Sequence, residues 1–144
     1  MSGDFQIPLH ATVLLDTAPV IYLLEDHPEY LARFLPLFQR AEAGTLRILI
    51  TPLTLAEVLA GPLKARKEAL AERYEQALCQ GLGWNVVPLD AALAARAARL
   101  RARYHLKLPD ALQLAAALVH GVAALVTHDR DFGQAAKEVP IWGV

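Results

Sequence analysis

The chain has 144 residues, a formal net charge of −1 at pH 7, and a composition that is 55% hydrophobic and 20% charged. These values are typical of one compact domain with a sizeable core, and they exclude a disordered chain. The single cysteine, Cys79, excludes an internal disulfide and a cysteine-rich zinc site. We therefore expect a single domain that spans residues 1–144.

Short apolar runs alternate with helical patterns along the chain. In chain order, the sequence predicts a strand at 12–15, helices at 19–24 and 30–43, a strand at 47–50, helices at 52–61 and 63–80, a strand at 84–87, helices at 91–105 and 109–120, a strand at 123–127 and a short strand at 140–142. Thr51-Pro52 is a helix start, while Gly44 and Gly121 follow predicted helix ends. This alternation is typical of an α/β fold whose mostly parallel sheet is covered by helices on both faces.

Acidic residues lie at or near the predicted ends of the strands. Asp16 directly follows the first strand, and Asp129 and Asp131 follow the fourth. Glu57 lies in the helix after the second strand, and Asp110 lies in the first turn of the helix before the fourth. Because ligand sites of parallel sheets lie beyond the carboxyl ends of the strands, we expect these carboxylates to converge on one cleft.

A cluster of carboxylates is stable only with a cation or with bound protons. Like charges that lie close together repel, and one or more of the groups takes up a proton unless a cation is bound between them. Hard oxygen ligands of this kind suit Mg²⁺ or Mn²⁺. A pair of such ions activates a water for attack on a phosphodiester and stabilises the leaving oxygen, which requires neither a cysteine nucleophile nor a histidine base.

Each acid also has a purely structural interpretation. Asp16 can cap the helix that follows it, and Asp110 can complement its helix dipole. Glu57 fits the spacing of a capping box with Thr54. The two acids after the fourth strand can serve as turn residues. Spacing alone leaves the catalytic and the structural interpretations open.

The segments around these acids resemble the sequence motifs of the PIN-domain ribonucleases. The similar segments occur in the family's order and lie at 13–17 with 22–24, at 51–59, at 106–111 with 114–117, and at 125–132. Together they extend over nearly the whole chain. The resemblance implies a three-layer α/β/α sandwich with a central, mostly parallel sheet, and a Mg²⁺- or Mn²⁺-dependent endoribonuclease.

The resemblance also implies roles for individual residues. The catalytic residues it implies are Asp16, Glu57, Asp110 and Asp129. The metal ligands it implies are Asp16, Asp110, Asp129 and Asp131. The hydroxyl positions that support a carboxylate or a metal-bound water match Thr17 and Thr127. No acid of the family's set is missing, so nothing indicates an inactivated member.

Single-domain PIN proteins of this size are commonly VapC-type toxins. The resemblance to them implies an RNA substrate, a cognate antitoxin and a homodimer. A basic helix without acidic residues leads into Asp110, and the residues expected to bind RNA phosphates are Arg96, Arg99, Arg103 and Lys107. A solvated helix face explains the same charges.

Other classes of protein remain as alternatives. An RNA-processing PIN nuclease that has no antitoxin carries the same motifs. A receiver-like, non-catalytic regulatory domain needs one phosphorylatable aspartate, which leaves Glu57 and Asp110 unexplained. A phosphatase of the haloacid dehalogenase type needs a second aspartate two positions after Asp16, where Ala18 stands.

The chain is expected to be soluble and cytoplasmic. Its start, Met1–Pro8, has neither the basic nor the apolar region of a signal peptide. The apolar stretch 111–126 is interrupted by Gln113, His120 and Gly121, and it is too short to span a bilayer.

Overall fold

The structure is a computed structural model that describes residues 6–144. Its strands are β1 (Ala11–Leu15), β2 (Leu46–Ile50), β3 (Trp84–Val86), β4 (Ala124–Val126) and β5 (Ile141–Trp142). Its helices are α1 (Thr17–Leu24), α2 (Leu31–Glu42), α3 (Pro52–Lys64), α4 (Glu68–Gln80), α5 (Ala91–Tyr104), α6 (Leu108–Val119) and a 3₁₀ helix (Arg130–Lys137). Among the described helices, none has the length and apolar character that crossing a membrane requires. Most of the segment 1–8, for which no signal peptide is predicted, lies outside the described residues.

The strands form one sheet in the order β3-β2-β1-β4-β5, and each neighbouring pair is parallel. β1 is central, since Val13 pairs with Ile48 of β2 and with Ala124 of β4. The chain passes from β1 to β2 on one side of β1, whereas β4 pairs with the other side of β1. The carboxyl ends of β1 and β4 therefore border the crevice in which α/β folds bind ligands. The predicted α/β fold with a mostly parallel sheet is confirmed.

Helices cover both faces of the sheet, and each face has its own hydrophobic core. Leu14, Leu49 and Leu125 belong to one core together with residues of α5 and α6. Val13 and Leu15, which flank Leu14 along β1, belong to the other core with residues of α1, α2 and α4. Because successive side chains of a strand alternate between the two faces, this division confirms the three-layer α/β/α arrangement.

The boundary between the two helices after β2 differs from the prediction. The sequence predicts a helix end near Gly61, but α3 continues through Gly61 and Pro62 and ends at Lys64. Arg66 has a left-handed backbone with φ of 60°, and the N–H groups of Arg66 and Lys67 donate to carbonyls of the last helical turn. This closure satisfies the terminal carbonyls without a glycine. The glycine was therefore the wrong indicator of the helix end.

The 3₁₀ helix between β4 and β5 has no counterpart among the predicted elements. Asp129 precedes it, and its Oδ1 accepts a hydrogen bond of 2.8 Å from the N–H of Asp131. Phe132 is fully buried and anchors the segment in the core shared with α5 and α6. A 3₁₀ helix lacks the 3.6-residue period by which α-helices are found in a sequence, so periodicity did not reveal it.

Candidate metal centre

Asp16 lies at the carboxyl end of β1 with both carboxylate oxygens held. Its N–H donates to the carbonyl of Val126, which continues the parallel pairing with β4. Thr127 Oγ1 donates to Oδ2 at 2.9 Å, and Gln113 Nε2 donates to Oδ1 at 3.2 Å. Asp16 occupies the N-cap position of α1, as the structural interpretation expects, but its side chain makes no capping hydrogen bond. Burial raises the pKa of Asp16 above its ordinary value, although these donors oppose the shift.

Three further carboxylates meet beside Asp16. Asp110 lies in the first turn of α6, and Asp129 and Asp131 follow β4. One oxygen from each of these three side chains lies within 4.8 Å of the others. Asp129 also has the structural role foreseen for it, since its side chain caps the 3₁₀ helix. One role does not exclude the other, because a carboxylate has more than one acceptor site.

The pKa of Asp110 reflects the negative charge of the carboxylates around it. Its pKa is raised from 3.8 to about 6, first by burial and then by the charges of Asp129, Asp16 and Asp131. Lys107, at the start of α6, offsets only part of this effect. A divalent cation would relieve the repulsion. Oxygen ligands without histidine or cysteine fit Mg²⁺ or Mn²⁺ better than Zn²⁺.

Glu57 lies apart from the three clustered aspartates. It is an exposed residue of α3, and its Oε1 accepts a hydrogen bond of 2.6 Å from Thr17 Oγ1. The same hydroxyl lies 3.1 Å from Thr54 Oγ1. The capping box expected for Thr54 is wrong, since Thr51 caps α3 and accepts from the N–H of Thr54. Glu57 is thus connected to Asp16 through Thr17, Thr54 and the amide of Gln113.

The side chain of Gln113 links Asp16 to Thr51 and Thr54, and the sequence did not identify it as a site residue. Its side chain is 1% exposed on α6. Nε2 donates to Asp16 and, at 2.7 Å, to Thr54 Oγ1, while Oε1 accepts from Thr51 Oγ1 at 3.0 Å. The available signal was a lone amide in the apolar part of α6, three positions after Asp110. A buried amide at such a place needs polar partners.

Thr127 connects two of the acids directly. It is fully buried at the end of β4. Its hydroxyl donates to Asp16 and accepts a 2.9 Å hydrogen bond from the N–H of Asp129. Both threonines expected to support the acids, Thr17 and Thr127, therefore contact a carboxylate.

The basic residues expected to bind RNA occupy two different places. Arg96, Arg99 and Arg103 are exposed on α5 and line a surface depression that also includes Leu118 of α6. Arg103 forms an ion pair of 3.1 Å with Glu138. Leu118 lies eight residues after Asp110 in α6, so the depression that the arginines line lies about 12 Å from Asp110 along the helix axis.

Lys107 differs from these arginines in its relation to the acids. It is the N-cap residue of α6 and lies close enough to Asp110 to lower the pKa of that carboxyl. The structure therefore brings one of the four expected basic residues next to the acidic cluster.

These features define a class of protein: a parallel α/β/α sandwich with an acidic cluster at the carboxyl edge of its central strands. The family model described as PIN domain matches residues 13–138. The chain therefore belongs to the PIN domain family. Among curated proteins, no significant match to this chain was found.

Several solved structures have similar folds. A toxin–antitoxin complex from Klebsiella pneumoniae is 30% identical, with 83% of this chain and 89% of that chain covered and a TM-score of 0.64. VapBC2 from Rickettsia felis, bound to a DNA fragment from its promoter, is 18% identical over 90% and 96% of the two chains, with a TM-score of 0.70. VapC20 from Mycobacterium tuberculosis, a toxin that cleaves the sarcin-ricin loop, is 16% identical over 85% and 94%, with a TM-score of 0.68.

Proposed function

We propose that this protein is a metal-dependent endoribonuclease that hydrolyses RNA phosphodiester bonds with Mg²⁺ or Mn²⁺. The observation that carries the proposal is the group formed by Asp110, Asp129 and Asp131, whose oxygens lie within 4.8 Å of one another beside Asp16. Repulsion among these carboxylates destabilises the folded protein unless a cation is bound between them. The group also lies at the edge of the sheet where parallel α/β folds bind ligands. We assign Asp16, Asp110, Asp129 and Asp131 as metal ligands.

Neighbouring side chains hold the acids in position by hydrogen bonds. Bound divalent ions supply an activated water and stabilise the leaving oxygen of a phosphodiester. Thr127 and Gln113 hold the two oxygens of Asp16, so its orientation is set before substrate binds. Thr17 orients Glu57, which we propose to position the attacking water and to accept its proton.

We further propose that the nuclease is the toxin of a toxin–antitoxin pair. This rests on family membership and on the similarity to the Klebsiella pneumoniae complex and to VapC20. A cognate antitoxin, a homodimer and a cytoplasmic site of action belong to the same proposal. An RNA-processing nuclease without an antitoxin remains its alternative. A receiver-like role is disfavoured, because the chain belongs to the PIN domain family and such a role leaves Glu57 and Asp110 unexplained.

Cleavage of a mixed RNA pool tests the nuclease. The wild-type chain should cut RNA with Mg²⁺ or Mn²⁺ and stop when EDTA is added. Asp16→Asn and Asp110→Asn should lose cleavage and keep the fold by circular dichroism. Glu72→Gln, which changes an exposed acid of α4, is the matched control and should cut normally. Normal cleavage by folded Asp16→Asn would contradict the assigned site.

Growth measurements separate the toxin from the processing nuclease. Production of the wild-type chain alone should slow growth, and Asp110→Asn should relieve this effect. Co-production of a small DNA-binding protein encoded next to the gene should restore growth if it is the antitoxin. Unchanged growth together with RNA cleavage in vitro would favour the processing nuclease.

A further inference from the structure

The rings of His27, Tyr30 and His128 form an aromatic ledge, and His128 directly precedes Asp129 of the acidic cluster in the chain. The rings of His27 and Tyr30 are stacked, with centroids 4.7 Å apart and planes inclined by 13°. The ring of His128 meets Tyr30 edge-on at 4.8 Å. Tyr30 remains 38% exposed. His27 and His128 are half-buried, so Tyr30 is the ring of this group that a ligand reaches most readily.

The ledge is held rigidly by hydrogen bonds and by packing beneath it. Nδ1 of His27 accepts from the backbone N–H groups of Glu29 at 3.1 Å and Tyr30 at 3.0 Å. Nδ1 of His128 lies 2.7 Å from the hydroxyl of Tyr22. A ring fixed in this way loses little conformational freedom when a ligand stacks on it.

The position of the ledge indicates which ligand it suits. His128 is flanked in the chain by Thr127 and Asp129, which belong to the acidic cluster. A chain whose phosphate reaches the metal ligands therefore brings its neighbouring base close to these rings. Single-stranded RNA exposes the faces of its bases, and such bases stack on aromatic side chains, whereas bases in a duplex are covered by their neighbours.

We propose that the ledge is a stacking site for an unpaired base next to the RNA bond that is cut. Tyr30 contributes the exposed ring, His27 supports it from behind, and His128 links it to the acidic cluster. This inference rests on the proposed nuclease function and adds to it the side chains that hold the base beside the cut bond.

Binding of a labelled RNA tests the ledge separately from catalysis. The probe is a single-stranded 12-nucleotide RNA of mixed sequence with an end label, titrated with protein in Mg²⁺ in an Asp16→Asn background, so that the RNA stays intact. Stacking contributes about 1–3 kcal/mol per base, so Tyr30→Leu should weaken binding by about 5- to 150-fold. Tyr30→Phe keeps the ring and should bind within about twofold of the parent.

Two further arms complete the experiment. Leu82→Ala removes an exposed apolar side chain from the turn before β3 and should leave RNA affinity unchanged. A probe with 2-aminopurine should lose fluorescence on binding the parent and not on binding Tyr30→Leu, since stacking quenches this base. A blunt duplex of the same sequence should bind more weakly and should not respond to Tyr30→Leu.

The outcomes distinguish the ledge from the nuclease. Equal RNA affinity for Tyr30→Leu and its parent would overturn the ledge, even if the wild-type chain cleaves RNA. Loss of affinity for a protein antitoxin, with RNA affinity unchanged, would also overturn it and identify the ledge as a protein-docking surface. Ring-dependent RNA binding by a chain that cleaves no RNA would instead support the ledge and contradict the proposed nuclease.

Discussion

The fold shifts the ionisation of Asp110 strongly. Its pKa of about 6 in the folded chain lies above the ordinary value of 3.8, because burial and three neighbouring aspartates disfavour its charge. The folded state therefore binds a proton more tightly than the unfolded state. In the metal-free protein, stability present at low pH is lost as the pH rises from about 4 through about 6.

Asp110→Asn should consequently stabilise the metal-free protein at about pH 7.5. Since the carboxyl is partly exposed, we expect a gain of about 1 kcal/mol, or about 2–4 °C in Tm. The gain should shrink steadily as the pH falls from about 6 to about 4. Thermal unfolding in EDTA across this range measures it. A gain that is equal at all pH values would contradict the raised pKa.

Gln113 holds Asp16 and the beginning of α3 in place. Gln113→Leu keeps the volume but leaves Thr51 and Thr54 without this partner, so unfolding free energy should fall by about 1–3 kcal/mol. RNA cleavage should fall by about tenfold or more, because a misplaced carboxylate weakens catalysis.

A destabilised variant outside the site is the control for Gln113→Leu. Leu78→Ala removes a buried side chain of α4 from the other hydrophobic core and should cost about 2–5 kcal/mol. It should retain cleavage at a temperature where both variants are folded. Equal loss of cleavage in the two variants would mean that Gln113 acts through stability alone.

At the scale of elements, several starts were predicted correctly and from local chemistry. Thr51 caps α3 by accepting from the N–H of Thr54 at 3.3 Å, and Asp90 caps α5 by accepting from Leu93 at 2.9 Å. Caps act within a few residues and are therefore visible in a sequence. The end of α3 was predicted wrongly, because it depends on a left-handed backbone at Arg66 that no residue preference indicates.

The carboxyl end of the 3₁₀ helix that carries Asp131 is hydrogen-bonded to α5. Glu138 follows this helix, and its carboxylate accepts from the Tyr104 hydroxyl and from Arg103. The hydrogen bond from Tyr104, with a smaller contribution from Arg103, lowers the pKa of Glu138 below its ordinary value. Two elements from distant parts of the chain are joined by this contact.

Tyr104→Phe should therefore loosen the 3₁₀ helix. Amide hydrogen exchange should become faster in residues 131–138 and remain unchanged in the strands, since only the hydrogen bond from Tyr104 to Glu138 is lost. Tyr74→Phe is the matched control, because Tyr74 donates its hydroxyl to Leu24 in the other layer. Unchanged exchange in Tyr104→Phe would mean that burial of Phe132 alone orders the segment.

At the scale of the whole molecule, the acidic cluster joins parts that are far apart in the chain. Asp16 follows β1, Asp110 lies in the first turn of α6, and Asp129 follows β4. A cation bound by all three would stabilise the folded state against the unfolded one, in which these residues are separated.

Addition of Mn²⁺ or Mg²⁺ should thus raise the Tm of the wild-type chain. At a concentration about 100 times Kd, the stabilisation should be about 2.7 kcal/mol, or about 5–10 °C. EDTA should reverse the rise, and Asp110→Asn should largely abolish it. Differential scanning fluorimetry measures the shift. A rise of equal size in Asp110→Asn would mean that the ion binds elsewhere.

The sequence by itself determined the alternation of strands and helices and the location of acids after β1 and β4. Both are local properties, visible as periodicity, capping residues and residue type. Only the tertiary structure decided which groups meet. Asp16 and Gln113 lie 97 positions apart in the chain, yet their side chains are hydrogen-bonded at 3.2 Å. Such contacts depend on strand order and on packing between layers, and these arise from the summed burial of the whole chain rather than from any short segment.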